Sequence, residues 1–544
     1  MSADGGERPA GYPRWVLIFS AVVALSSALP HVHQACTVPQ GEIFTGIVES
    51  HQDQNLYLVW CRQAMAGRVM MENFATAEEA PPIFVGPHWL VIGTLARFIP
   101  LPLIVTYRIL AVALAFIYLL IVWRLLCAVL EDERARLFAL VIVALGSGFR
   151  TFVAIIHRLL DREVLHSADV MPELWAYHSF LLPHFTLALC LMALLTLLLV
   201  RAWPAPTGRG WLGIALVGAA MTSVHPYNIA VWGPLLLLHA AISLAYRALD
   251  VRAVMANVAA LLGAGGMAGL YVLGSHSNPM LAAWAEQNVL RSPPPLSYLM
   301  GLGVVLPLAI VGRFVISRES RHGPAMWLLV LWPLVTAVMV YSYPLVPFER
   351  RGVEGLHIPL AILAGAAMAG WVIPWLRERV GERRAIGVAM ALLLVMILPT
   401  NLKLQYDSAT TPMGRMPRGW LEAYEWLAEQ TPDDARIFTS IRVGQYCARY
   451  ALRHVYVGHV QVTVDAERKE DLAGEFFRIT TAPERRAEIL RGSGCGWLAA
   501  TSGQEPAVKD MPGLEKAYDA GDMVIYRVPD AGPPPRLQPI SSTR

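Results

Sequence analysis

The stretch "HQDQNLYLVW", residues 51–60, holds a single acid, Asp53, among His51, Gln52, Gln54 and Asn55. Helical spacing puts Tyr57 and Trp60 on one face beside it. A carboxylate framed by amides and aromatic rings can take the proton of a hydroxyl as that hydroxyl attacks an electrophilic carbon. A second group lies in "YPLVPFERRGVEGLHIPLAI", which supplies Glu349, Arg350, Arg351, Glu354 and His357. Two adjacent guanidinium forks suit capture of a phosphate, because each can bind two of its oxygens. Around them stand Arg291, His225 and Tyr227 of "HPYN", and Asp161, Asp169, Glu173 and His178 of the preceding loop. A base together with a phosphate clamp points to transfer of a group away from a lipid phosphate.

The elements that must hold these residues are membrane helices. The chain has 544 residues, of which 55% are hydrophobic and 16% charged, and a mean hydropathy of +0.46. Those values describe a mainly α, polytopic transmembrane helical bundle rather than a soluble domain. A net charge of +3 spread over short loops leaves no electrostatic footprint for nucleic acid. Apolar runs predict about eleven spans, near 15–34, 103–124, 136–150, 178–200, 210–224, 226–245, 253–275, 297–317, 324–343, 355–376 and 385–400. The first reads as an uncleaved anchor, since no small-residue cleavage site follows it. "PHWLVIGTLARFIP", 87–100, is too short and interrupted to cross and is expected to lie flat or re-entrant at the interface.

Arginine placement sets the orientation. With the N-terminus in the cytoplasm, the inner loops hold sixteen Lys and Arg in about sixty residues, against nine in roughly twice that length outside. The loops carrying Asp53, Asp169, Glu173, His225 and Arg350 then share the extracytoplasmic side of an inner or plasma membrane. The tryptophans near span ends, including Trp89, Trp175 and Trp284, are expected to form an aromatic belt.

Three domains follow: a transmembrane domain over 1–402 with the outer loop 35–102, an extracytoplasmic soluble α/β domain over 403–528, and a disordered tail over 529–544. In the second, "GWLEAYEWLAEQTPDD", "DAERKEDLAGEFFRI" and "PERRAEILRG" read as helices, and "ARIFTS", "HVYVGHV", "CGWLAATS" and "MVIYRV" as strands. Of six cysteines, Cys36, Cys61, Cys447 and Cys495 fall outside the cytoplasm, and a Cys36–Cys61 bridge is expected to close the first loop. No Cys and His spacing resembles a zinc site.

The first span, the long outer loop with "HQDQNLYLVW", the late "FERRGVEGLHIPLAILAG", and "WLAEQTPDDARIFTS" followed by "HVYVGH" together resemble the GT-C superfamily of integral-membrane glycosyltransferases, particularly its bacterial members. The resemblance implies a polyprenyl-phosphate-linked sugar as donor, Asp53 as catalytic base, and Arg350, Arg351 or Arg291 on the donor phosphate. His51, Tyr57, Asp169, Glu173, His225, Tyr227 and Glu349 are the candidate substrate-binding residues. Many of these families carry two adjacent acids in the first loop, whereas Gln54 follows Asp53 here. Hard divalent cations want several oxygen ligands, so the expected reaction uses no metal or other cofactor. One carboxylate suffices for an inverting transfer to an extracytoplasmic lipid, glycan or protein, and a retaining mechanism would need a second. The alternatives are a lipid-linked sugar flippase or transporter, or a non-catalytic membrane scaffold. Transporters tend to carry midplane charges and paired broken helices, which the sequence does not display.

Overall fold

The computed structural model describes residues 11–160, 171, 174–202, 208–245, 251–319 and 323–535. Asp161, Asp169 and Glu173 lie outside the described residues. Where the sequence suggests one boundary near 403, the chain passes back and forth between two compact units. One comprises residues 1–29, 108–269 and 290–407; the other comprises 30–107, 270–289 and 408–544. The first outer loop thus folds with the C-terminal segment.

Among the described residues, six helices are long and apolar enough to cross a membrane: Leu103–Val129, Pro183–Arg201, Pro226–Ala245, Val254–Ser277, Glu349–Val380 and Glu382–Thr410. Three bent pairs raise the number to nine if each is one span. They are Arg14–Ser26 with Leu29–Cys36, Glu133–Leu145 with Arg150–Leu160, and Pro295–Leu302 with Val305–Ile316, bent by 42°, 61° and 73°. Gly210–Val224 and Met326–Met339 are shorter apolar helices.

In the first unit the helix His357–Ala367 is buried on every side. Glycines make this possible. A Cβ on Gly312 would overlap the Leu363 carbonyl, and one on Gly365 would overlap Ala135 and Ala139. Backbones therefore approach closely, as they do where small residues line helix contacts in membranes.

Two of the bends meet. The Gly146–Phe149 break packs on the Leu302–Gly303 break, with the Phe149 amide donating to the Met300 carbonyl at 2.8 Å. A helix break frees carbonyls that lipid cannot satisfy. Here Thr400 donates to the Gly148 carbonyl at 2.8 Å, Asn401 to that of Leu145 at 2.8 Å, and Trp175 to that of Gly301 at 2.7 Å. Periodicity gave no sign of this pair, since Gly146, Gly148 and Gly303 interrupt the runs without ending their hydrophobicity. The same contact corrects one expectation: Trp175 is 1% exposed and belongs to the core.

The second unit is built on a five-stranded mixed sheet. Its strands are β3 (Arg436–Phe438), β4 (His454–Val455), β5 (Trp497–Thr501), β6 (Glu515–Asp519) and β7 (Met523–Arg527), in the order β4-β3-β5-β7-β6. β3 runs parallel to β4 and β5, whereas β7 is antiparallel to both its neighbours. A separate pair joins β1 (Glu42–Phe44) to β2 (Arg415–Pro417). The first loop covers the β4 edge: Val455 donates to the Phe74 carbonyl at 3.0 Å and Gly458 to that of Ala75 at 3.1 Å. An unpaired sheet edge is thereby closed.

Helices Arg418–Gln430, Ala466–Phe476 and Pro483–Ser493 form at the amphipathic stretches. The helix Ile441–Ala451 and the strand β6 did not announce themselves in the sequence. Gly444 stands inside this helix because a Cβ there would overlap the Val457 carbonyl, and β6 is mostly exposed and polar. The segment 87–100 forms a twelve-residue helix, Pro87–Phe98, outside the candidate spans. It packs on the helix His51–Met65, where Gly93 lets it approach Cys61 and Ala64. Cys36 and Cys61 do not bridge: Cys36 is exposed, whereas Cys61 is buried with its thiol pushed far up by desolvation. Trp89, 2% exposed, packs inside the unit instead of forming a belt. The start of the Pro-rich tail is ordered, with Pro535 accepting from the Glu79 amide at 3.2 Å.

Candidate active site

Asp53 sits in the first turn of the helix His51–Met65. Ser50 precedes it in a left-handed conformation, with φ at 47°, and turns the chain sharply into the helix. The carboxylate is 41% exposed, and its Oδ1 lies 3.0 Å from Nε2 of His459, a side chain only 3% exposed. The Gln461 amide donates to His459 Nδ1 at 3.0 Å. Nδ1 is thus the acceptor, which places the imidazole proton on Nε2 and makes His459 the donor to Asp53. Among the described residues Oδ2 of Asp53 has no hydrogen-bond partner.

The turn carrying His459 is itself fixed. Thr463 accepts from the amides of Gly458 and His459 at 3.1 and 3.0 Å, and donates to the Ala75 carbonyl at 2.6 Å. The Val460 amide donates to Gln52 at 3.0 Å, tying the turn to the residue before Asp53. His459 follows β4 on its carboxyl side, where α/β sheets commonly place ligand-binding groups.

The neighbouring rings form one cluster. Tyr57 stacks on Trp89 with centroids 4.6 Å apart and approaches Trp60 at 5.7 Å, and Trp60 approaches Trp284 at 6.1 Å. Trp284 donates to the Val462 carbonyl at 3.2 Å, so this half-buried ring is also a packing element. His51 is buried at the start of the helix. Asn55 donates to Gln445 at 3.0 Å and so faces the protein interior.

In the other unit, Arg350 and Arg351 line a cavity of about 180 Å³ with Phe185, Tyr227, Leu290 and Glu354. The short 3-10 helix Glu349–Val353 presents them. Arg351 lies over the Phe185 ring, 5.6 Å from its centroid. His225 Nδ1 lies within hydrogen-bond distance of both Glu354 oxygens, at 2.8 and 2.9 Å, and this pair is buried. Tyr227 stacks on His225 at 4.9 Å. Glu349 has a scaffolding position: its oxygens accept from the amides of Ser292 at 3.0 Å and Tyr343 at 2.8 Å. Arg291 lies over the Tyr343 ring, 3.4 Å from its centroid. His357 bonds Tyr118 at 2.8 Å.

The structure therefore brings Arg350, Arg351 and Tyr227 to one cavity, and gives Asp53 a partner that the sequence reading missed. The signal for His459 was a histidine behind Gly458 at a strand end, hidden because "HVYVGHV" reads as one strand.

No protein-family model and no curated protein matches the sequence. Solved structures do match over nearly its whole length. The oligosaccharyltransferase AglB of Archaeoglobus fulgidus, in complex with an inhibitory peptide and a dolichol-phosphate, aligns with 95% of this chain and 74% of its own at a TM-score of 0.58 and 12% identity. ArnT of Cupriavidus metallidurans, bound to undecaprenyl phosphate, aligns with 95% of this chain and 99% of its own at a TM-score of 0.52 and 13% identity. The chain shares the overall fold of these two proteins. At such identity the likeness is one of fold.

Proposed function

We propose that the chain is a membrane glycosyltransferase that moves a hexose or pentose from a polyprenyl-phosphate donor to an extracytoplasmic lipid, glycan or protein. The observation that carries this reading is the Asp53–His459 pair on a GT-C fold. The acceptor hydroxyl attacks the anomeric carbon, its proton passes to Oδ2 of Asp53, and the bond from that carbon to the phosphate oxygen breaks, releasing polyprenyl phosphate. His459 is a positioning residue. Its one proton is donated to Oδ1, which holds Oδ2 in a defined direction, and its Nδ1 already accepts from Gln461. A single base fits an inverting displacement. The leaving phosphate needs no general acid where guanidinium groups stabilise its growing charge.

Arg350 and Arg351 take the phosphate in this account, with Tyr227 in the same cavity, and Arg291 next to Leu290 of its wall. Glycosyltransferases of this fold hold dolichol-phosphate and undecaprenyl phosphate, which supports a polyprenyl phosphate here. Gln54 beside Asp53 and the engagement of Asp53 by His459 support a metal-independent transfer. We take the six long helices, the three bent pairs and the two shorter apolar helices all as crossing, which makes eleven spans with the N-terminus cytoplasmic. On that topology the domain expected over 403–528 lies outside the cytoplasm from residue 411, where the last of these helices ends.

The test is the purified chain reconstituted with a panel of polyprenyl-phosphate sugars and a membrane extract as acceptor. Release of polyprenyl phosphate with sugar transfer supports the reading. Movement of the donor between leaflets without release would instead make the chain a flippase.

A further inference from the structure

A second cavity, of about 410 Å³, lies in the unit that holds Asp53 and is lined by Arg62, Arg449, Glu425, Glu429, Leu103 and Ile104 among others. Its size falls in the range of small-molecule pockets, about 300–1,000 Å³. The glycosyltransfer mechanism makes no use of it.

Arg449 is 6% exposed. Its guanidinium donates to Asn55 at 3.0 Å and to the Thr45 carbonyl at 2.9 Å, both neutral acceptors. Arg62 caps the last turn of the helix Ile441–Ala451 by donating to the carbonyls of Arg449 and Tyr450, the latter at 2.8 Å. Among the described residues no carboxylate comes within 4.0 Å of either guanidinium. Burial pushes both groups below the ordinary arginine range, and for Arg62 the Arg449 charge adds to the effect. Two neighbouring cations withdrawn from water without a counter-ion leave a large favourable interaction open to an anion.

The cavity also carries negative charge. Glu425 and Glu429 are exposed residues four apart on the helix Arg418–Gln430, and so share a face. They line the same space as the arginines, yet neither comes within 4.0 Å of them. Opposite charges that face one cavity without pairing match a ligand carrying both. Leu103 and Ile104 add an apolar wall, and they begin the helix Leu103–Val129, which is fit to cross a membrane.

We propose that this cavity binds a phosphoethanolamine-type zwitterion, with its phosphate on Arg62 and Arg449 and its ammonium on Glu425 and Glu429. The position at the mouth of a span favours a phospholipid headgroup as the source, and free O-phosphoethanolamine carries the same chemistry in solution. The full-length protein in detergent is offered equal amounts of phosphatidylethanolamine and phosphatidylglycerol, and retained lipid is counted by native mass spectrometry. O-phosphoethanolamine and inorganic phosphate are titrated in parallel by calorimetry. The expected result is about tenfold preference for phosphatidylethanolamine. The preference should be lost in the Glu425→Gln, Glu429→Gln double variant, whose exposed substitutions leave the fold intact. Arg62→Gln should weaken retention of both lipids. Uptake of O-phosphoethanolamine without lipid preference supports the same chemistry with a soluble source. Equal retention of both lipids with no calorimetric signal overturns the proposal. So does a preference that survives the double variant, or inorganic phosphate binding as tightly as O-phosphoethanolamine.

Discussion

His459 donates its Nε2 proton to Oδ1 of Asp53 across 3.0 Å, joining residues 406 positions apart in the chain. A side chain buried to 3% exposure thereby aims one that is 41% exposed. If this contact orients the base, His459→Ala should lower kcat about 100-fold, the cost of misplacing a reacting group by an ångström or so. The KM for lipid donor should stay near its wild-type value. His459→Gln, whose amide can still donate, should recover part of the loss. Steady-state kinetics on reconstituted protein decide it; equal activity in all three proteins would leave His459 a packing residue.

Arg351 lines the cavity with Tyr227 and Glu354. A contact that strengthens as charge builds on a leaving phosphate affects binding and turnover together. Arg351→Ala should raise the donor KM and lower kcat, and Arg351→Lys should restore only part, since an ammonium lacks the planar fork. Unchanged kinetics in both would move the phosphate role to Arg350 or Arg291.

Lys469 places its ammonium 2.6 Å from Glu78, and both side chains are under a tenth exposed. Burial draws the Lys469 ammonium below its ordinary range even with Glu78 beside it. Glu78→Gln should therefore destabilise the protein by about 3–5 kcal/mol, because it strands a buried charge. Replacing both, as Glu78→Leu with Lys469→Met, should recover most of that, as read by chemical denaturation of the detergent-purified chain.

His454 lies on β4, with Nδ1 3.1 Å from the Thr76 carbonyl and its ring against Phe74. Burial lowers its pKa from 6.5, only partly offset by the hydrogen bond to Thr76 and by Glu72, with Arg436 adding to the decrease. Below pH 6.5 the unfolded chain then binds the proton that the folded chain refuses, so stability falls as pH falls through that value. The thermal midpoint should drop between pH 7.5 and 5.5, and His454→Gln should flatten that slope. An unchanged slope in the variant would assign the pH dependence to other groups.

The helices were legible because long apolar runs have few alternatives in a membrane protein. Asp53, Arg350 and Arg351 stood out in the sequence as charges beside apolar runs, and the structure puts the two arginines on one cavity. Contacts between distant segments were not. Nothing local to "VGHVQVT" marks His459 as facing Asp53, and nothing near 30–107 shows that it folds with 408–544. The Cys36–Cys61 expectation failed for the same reason: closeness in sequence said nothing of Cys61 being fully buried while Cys36 is exposed. Trp175 looked interfacial by position, but a carbonyl freed by a helix break claimed its indole.

The central claim is that Asp53 takes the acceptor's proton, and replacing its basic oxygen with an isosteric amide tests it most directly. Sugar transfer by Asp53→Asn is measured in a reconstituted assay alongside binding of the polyprenyl-phosphate donor. The account predicts a fall of roughly 10²–10⁴-fold in kcat with donor binding retained, and slight residual activity in Asp53→Glu. Wild-type turnover by Asp53→Asn would contradict it and make the carboxylate structural.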